Sequence, residues 1–284
     1  MNSSLIELCK FGVLFVLISC FAMTATSSEK ITFGVYTSDK ASTMFQTFKP
    51  VLDGLSKELK LLGSESANIQ IKIYKTYEEG IQAIVTGEVD FMRMGPASYI
   101  LAKEQSPKIK LLAMELRKNK KRFKGVIIVP SDSDVTSLSQ LKGKRFAFGN
   151  KNSTIGRYLA QSALIDAGVY QKDLSNFAFL GRHDKVAFAV GLKDYDAGSV
   201  KEKTFKKLSK KTGKIKALKY FENVTKPWVA SPALSDEQFS LLSKALINLK
   251  DESVLKKLKV TGFASSTDED YAFVRKGMES AKMF

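Results

Sequence analysis

The chain has 284 residues, 44% of them apolar and 10% aromatic, a composition that excludes a disordered protein and allows one large domain or two ordinary ones with real cores. Lys and Arg number 45 against 29 Asp and Glu, leaving a formal net charge of +16, which fits nucleic acid, an anionic membrane surface or an anionic ligand. The only cysteines are Cys9 and Cys20, so nothing downstream of them can form a disulfide or act through a thiol.

The first segment, MNSSLIELCKFGVLFVLISCFAMTATSSEK, places Lys10 before an apolar run at 11–18 and follows it with small and polar residues. This predicts an export signal over residues 1–27, too short to span a membrane. Two cleavage points fit. LISC at 17–20 looks like a lipobox, which would remove residues 1–19 and leave Cys20 as a lipid anchor, whereas ATS at 25–27 suits ordinary signal peptidase. Both export the protein, and export argues against nucleic acid as a partner.

Strand and helix patterns then alternate. ITFGVY (31–36) leads into an amphipathic stretch over 42–62, IQIKIY (69–74) into YEEGIQAIVTG, and VDFMRM (89–94) into PASYILAKE. After IKLLAMEL and FKGVIIVP the rhythm restarts with KRFAFG, a helix over 153–167, NFAFL, a helix over 183–191, YDAGSV and a lysine-rich helix. Beyond Pro227 the tail is helical, opening at Ser235 and Asp236 with LLSKALINL as its apolar face. The alternation predicts an α/β fold with mainly parallel sheets. We read two lobes, residues 28–120 with 225–284 and residues 121–224, joined by crossings near 117–125 and 220–230. A ligand belongs in the cleft between them, at strand ends and helix N-termini. The stretch at 201–219 holds nine lysines, one acid and no arginine; it reads as a solvated face that raises the local concentration of an anion.

Several residues carry candidate chemistry. In FAFGNKNSTIGRYLAQSALIDAG (146–168) the helix opens on Asn152, Ser153, Thr154, Ile155 and Gly156, which are small or hydrogen-bonding. Such residues cap the unpaired amides of a first turn, or leave those amides and their partial positive charge to an anion. His183 is the only histidine and stands at a helix start after Gly181, as a structural donor or a ligand contact. Asp196, two residues before Gly198, either caps a turn or meets the ligand. Tyr99, one turn into the helix opened by Gly95 and Pro96, is core or ligand contact, and Trp228 is expected at the lobe junction. A hydrolase built from Ser153, His183 and Asp184 would lack the G-x-S-x-G elbow. One histidine and no cysteine beyond Cys20 give no transition-metal site.

The joint occurrence of GP-x-x-Y (95–99), LKGK-x-x-AF with ST-x-G (141–156), G-x-H (181–183) and DAG (196–198), in that order within 31–278, resembles the phosphonate-, phosphite- and phosphate-binding proteins of ABC importers. The resemblance implies a two-lobe type II binding-protein fold, no catalysis, no cofactor, and delivery of a small oxyanion to an ABC permease in the inner membrane. It implies that Ser153 and Thr154, with backbone amides, hold the oxyanion, that His183 donates to it, that Tyr99 closes from the other lobe, and that Asp196 meets a ligand hydroxyl or amine. Ile155 replaces the second serine of the family pattern and Met94 precedes Gly95 where some members have an aromatic; both departures bear on specificity. We expect a monomer. The same fold could instead serve as a sensor for a membrane histidine kinase or chemoreceptor. Intact-mass measurement on protein from its native host should show loss of residues 1–19 with a diacylglyceryl group on Cys20, or loss of residues 1–27; retained Met1 would overturn the export reading.

Overall fold

The computed structural model describes residues 30–37, 41–64 and 68–284, so the export signal and Cys20 lie outside the described residues. The strands are β1 (Lys30–Tyr36), β2 (Asn68–Tyr74), β3 (Phe91–Arg93), β4 (Lys110–Leu116), β5 (Arg122–Pro130), β6 (Arg145–Phe148), β7 (Asn176–Phe179), β8 (Ala197–Lys201), β9 (Ile215–Val224), β10 (Pro227–Ala230) and β11 (Gly262–Ala264). Between them run helices α1 (Ala41–Leu61), α2 (Tyr77–Thr86), α3 (Pro96–Gln105), α4 (Leu159–Asp166), α5 (His183–Gly191), α6 (Glu202–Thr212), α7 (Asp236–Asn248), α8 (Glu252–Leu258) and α9 (Ala272–Ser280). They form two mixed sheets, ordered β11-β4-β10-β3-β1-β2 and β7-β6-β8-β5-β9. β1 is parallel to β2 and β3, and β6 is parallel to β7 and β8, while β10 and β5 run antiparallel to their neighbours.

Local sequence explains most of the elements. Thr76 caps α2 by accepting from the Glu79 N–H at 3.1 Å, and Gly87 closes it at φ 78, in the left-handed region that glycine enters freely. Ser235 and Gln238 form a reciprocal cap on α7. The apolar run of β5 is buried on both faces: Ile127 and Val129 pack with Phe146, Phe148 and Leu164, whereas Val126 and Ile128 pack with Val186, Val190 and Leu208. The lysine-rich stretch does not stay helical. Gly213, at φ 65, ends α6, and the chain from Ile215 pairs along β5 as β9; the strand's lysines mask its pattern.

Between the sheets the chain crosses twice. β4 leaves through the turn at 117–120, where Arg117 and Lys120 exchange backbone hydrogen bonds of 2.9 and 3.0 Å. β9 returns through Thr225, whose N–H donates to the Lys121 carbonyl at 2.9 Å. The C-terminal segment was expected wholly on the first lobe and instead spans both. Val274 and Met278 of α9 join the cluster around Tyr99, but the terminal Phe284 ring packs on Phe148 and Phe177 of the second sheet, at 5.5 and 6.2 Å between centroids.

Trp228 likewise lies deeper than the lobe junction. It stacks on Phe33 at 5.0 Å, with Phe91, Phe48 and Phe263 around it, and is fully buried. Trp228→Ala should therefore cost about 3–5 kcal/mol of unfolding free energy. Chemical denaturation followed by circular dichroism measures it, and a Trp228→Phe control should recover part of the loss.

Candidate functional site

The carboxyl ends of the parallel strands in both sheets face one another across a cleft. From the second lobe, the loop after β6 brings Ser153 and Thr154, the turn after β7 brings His183, and the ends of β8 and β9 bring Lys201 and Asn223; the first lobe adds Tyr77, Gly95, Pro96 and Lys226. The space left between the lobes is about 20 Å³, roughly what one water molecule occupies, and the lobes touch directly beside it. Ala97 N–H donates to Thr154 Oγ1 at 2.9 Å, and Asn152 Nδ2 donates to Glu78 Oε1 at 3.0 Å.

The helix that follows β6 begins with a wide turn, Thr154–Tyr158, in which the Leu159 N–H reaches the Thr154 carbonyl. Such turns recur at functional sites. Close backbone contact holds it in place: Gly149 N–H donates to the Gly156 carbonyl at 2.7 Å, and a Cβ on Gly156 would lie 2.8 Å from the Gly149 Cα. Ser153 is the cap, its Oγ accepting from the Gly156 N–H at 2.9 Å. Both hydroxyls thus accept from a backbone amide, and each keeps its own proton to donate. The Thr154 and Ile155 amides, first in the helix, have no intrahelical acceptor. Capping and anion binding are compatible uses of the same residues.

His183 is buried, and its Nδ1 has no hydrogen-bond partner. Burial, then the neighbouring Lys201 and Lys226 ammonium groups, hold its pKa well below the ordinary imidazole value near 6.5, so the ring is neutral at physiological pH. Asp184 does not orient it, because Arg182 takes both carboxylate oxygens of Asp184 at 3.0 and 2.8 Å. The Asn223 Oδ1 and Thr225 Oγ1 atoms are also buried without partners. Buried polar atoms are nearly always paired, so the two of these that line the cleft, on His183 and Asn223, mark a place for a polar guest.

Two expected contacts lie elsewhere. Tyr99 sits two residues, about 200°, round α3 from the cleft-facing Ala97; its hydroxyl donates to Asp268 Oδ1 at 2.8 Å and its ring packs on Tyr271 at 5.1 Å. Asp196 stands at the amino end of β8, about 16 Å along the strand from Lys201. There it accepts from the Arg145 backbone and guanidinium at 2.8 to 3.1 Å. Tyr36 is the tyrosine that supports the cleft, accepting from the Gly95 N–H at 2.5 Å and donating to Ser98 at 2.8 Å. Burial pushes its hydroxyl up to about 12, so it stays a neutral donor. Sequence reasoning also missed Lys201, Asn223 and Lys226. Lys201 was counted with the solvated lysines, and only its place at the end of a strand pointed inward.

Two α/β lobes with crossing strands and a polar cleft at their strand ends define a periplasmic substrate-binding protein fold. The chain belongs to the family described as ABC transporter, phosphonate, periplasmic substrate-binding protein, whose model matches residues 33–271. Among curated relatives, it is similar to a probable ABC transporter phosphite binding protein, PhnD1, of Prochlorococcus marinus (29% identical over 160 residues, 53% of this chain and 52% of that protein). It is also similar to the phosphate-import protein PhnD of Mycolicibacterium smegmatis (26% over 180 residues, 60% and 54%). The chain thus matches about half the length of these relatives. Among solved structures, PhnD1 of Prochlorococcus marinus in complex with methylphosphonate superposes with a TM-score of 0.79 at 22% identity, covering 90% of this chain and 100% of that one. A binding-protein component of an ABC phosphonate transporter from Pseudomonas aeruginosa gives 0.76 at 20% identity, covering 89% and 86%.

The depressed pKa of His183 fixes a sign. The unfolded chain takes up a proton near pH 6.5 that the folded chain refuses, so the contribution is complete above that pH and is lost as pH falls through it, by at most about 1.4 kcal/mol per pH unit. The single imidazole should titrate well below 6.5 by NMR in the folded protein. His183→Asn should flatten the acid side of the stability profile.

Proposed function

We propose that the protein captures a small phosphorus oxyanion, a phosphonate, phosphite or phosphate, between its lobes and delivers it to an ABC permease in the inner membrane. It acts as an exported monomer, without nucleic acid, and is held by lipid if Cys20 is the cleavage point. The observation that carries the reading is the pair of hydroxyls, Ser153 and Thr154, each accepting from a backbone amide and facing the cleft with a proton to give. A tetrahedral oxyanion presents several lone pairs at close range, and neutral hydroxyl and amide donors satisfy them without adding a buried charge. The first-turn amides of the same helix add donors and a positive field. His183, from the same lobe, lines the cleft as a neutral imidazole. An anion beside it favours the protonated ring, so binding takes up a proton and affinity rises as pH falls. Family membership and the relatives' phosphite and phosphate names support the substrate class.

Closure links the two lobes through the same threonine. The Ala97 N–H from α3 reaches Thr154 Oγ1 across the cleft, so the group that would contact the ligand also fastens the lids together.

Thr154→Ala removes one charge-assisted donor, worth roughly 1.5–3 kcal/mol or about ten- to a hundredfold in affinity for methylphosphonate or phosphate by calorimetry. The melting temperature of the ligand-free variant serves as the control. Unchanged affinity would overturn the threonine's role in the cradle.

A further inference from the structure

The C-terminal segment touches both lobes and lines none of the cleft. It begins on the first lobe, where Asp268 accepts from the Tyr99 hydroxyl at 2.8 Å and the fully buried Tyr271 packs its ring on that of Tyr99. It next grips the outgoing crossing. Asp270 accepts from Lys121 Nζ at 3.1 and 3.2 Å, and the Arg122 guanidinium lies 4.3 Å from the centre of the Phe273 ring. α9 then runs against both α3 and α4. Val274 and Met278 join the cluster around Tyr99, while Gly277 meets Leu159 of the second lobe so closely that a Cβ there would lie 2.6 Å from Leu159 Cδ2. Phe284 ends the path on Phe148 and Phe177 of the second sheet.

The position of α9 ties this packing to closure. α3 and the wide turn that leads into α4 are the elements that meet through the Ala97–Thr154 hydrogen bond, and Leu159 directly follows that turn. Parting the lobes at this bond carries α3 away from α4, so α9 cannot stay packed on both. Either Phe284 and Gly277 leave the second lobe, or Tyr271 and Val274 leave Tyr99, and each choice exposes apolar surface to water. We propose that residues 267–284 form a strap that holds the lobes closed, fixed at one end by Asp268 and Tyr271 and at the other by Phe284, so that its grip sets the population of the closed state and with it the affinity of the cleft. The strap acts on the closing step and is independent of which anion binds. Releasing either end frees the same motion, so the two ends work as a unit and their losses do not add.

Small-angle X-ray scattering of the ligand-free protein reads the lobe separation, and calorimetry with methylphosphonate and inorganic phosphate reads the affinity. Phe284→Ala and Asp268→Ala should each give a larger radius of gyration than the wild type and an affinity about three- to tenfold weaker, the factor by which the closed population falls. The double variant should bind no more than about twofold more weakly than the weaker single variant. Circular dichroism checks that each variant is folded, and Asp268, which lies outside the second-lobe core, keeps the test open should Phe284→Ala fail to fold. Ligand-free scattering profiles that superpose on the wild type, with only the melting temperature lowered, would overturn the strap, as would losses that add in the double variant. If the wild type binds neither anion, the oxyanion reading falls, and the scattering comparison still decides the strap.

Discussion

The cleft depends on one buried carboxylate. Glu115 sits on β4 two residues before the chain crosses to the second lobe, is wholly inaccessible, and is gripped by Arg93 from the end of β3 and by the Trp228 indole from β10. Its backbone N–H donates to the Lys226 carbonyl at 3.1 Å, so the outgoing and returning crossings are pinned at the same place. Burial alone would raise the Glu115 carboxyl; the Arg93 guanidinium, with Arg117 and Lys226, overrides it and keeps the group ionised. Removing one partner of such a pair leaves a bare charge in the interior, which costs about 3–5 kcal/mol. Here it would also leave the Trp228 indole N–H without its acceptor, next to the cleft residue Lys226.

Around that anchor, the second lobe supplies the cradle by compressing backbone against backbone. Gly149 and Gly156 approach so closely that a side chain at Gly156 would clash with the Gly149 backbone, and the contact fixes where the first helical turn begins. Ser153 then closes the turn as a cap, and its hydroxyl proton points away from the amide it accepts from. A hydroxyl has separate donor and acceptor capacities, so the cap leaves its proton free for another acceptor. The same economy appears at Thr154, where the acceptor side holds the opposite lobe. The exposed lysines of α6 lie on a solvated helix face and act at the range of about 8 Å set by screening.

What could be read from the chain differs by residue. Ser153, Thr154 and His183 were legible because each stands in the turn between an apolar strand and a helix start, a position that alternation alone identifies. Asp196 and Tyr99 lie close to such turns in the sequence and still point elsewhere. Asp196 precedes its strand instead of following it, and in a parallel sheet only the carboxyl ends meet the cleft. Tyr99 is on the far side of its helix, where Asp268 and Tyr271 from the C-terminal segment enclose it. Lys226 and Asn223 carried no local signal, since they flank a crossing whose path is defined by pairing with residues about a hundred positions away.

The sequence by itself determined the α/β alternation, the two-lobe order and the polar turns after each strand, because hydrophobic period and helix caps act over a few neighbours. Tertiary structure alone decided which of those turns converge, that the lysine-rich stretch splits into a helix and a strand, that Phe284 packs on the second sheet, and that Lys201, Asn223 and Lys226 join the cleft. These depend on strand direction, sheet order and burial, which bring together groups distant in the chain and shift their charges by desolvation that no local pattern records.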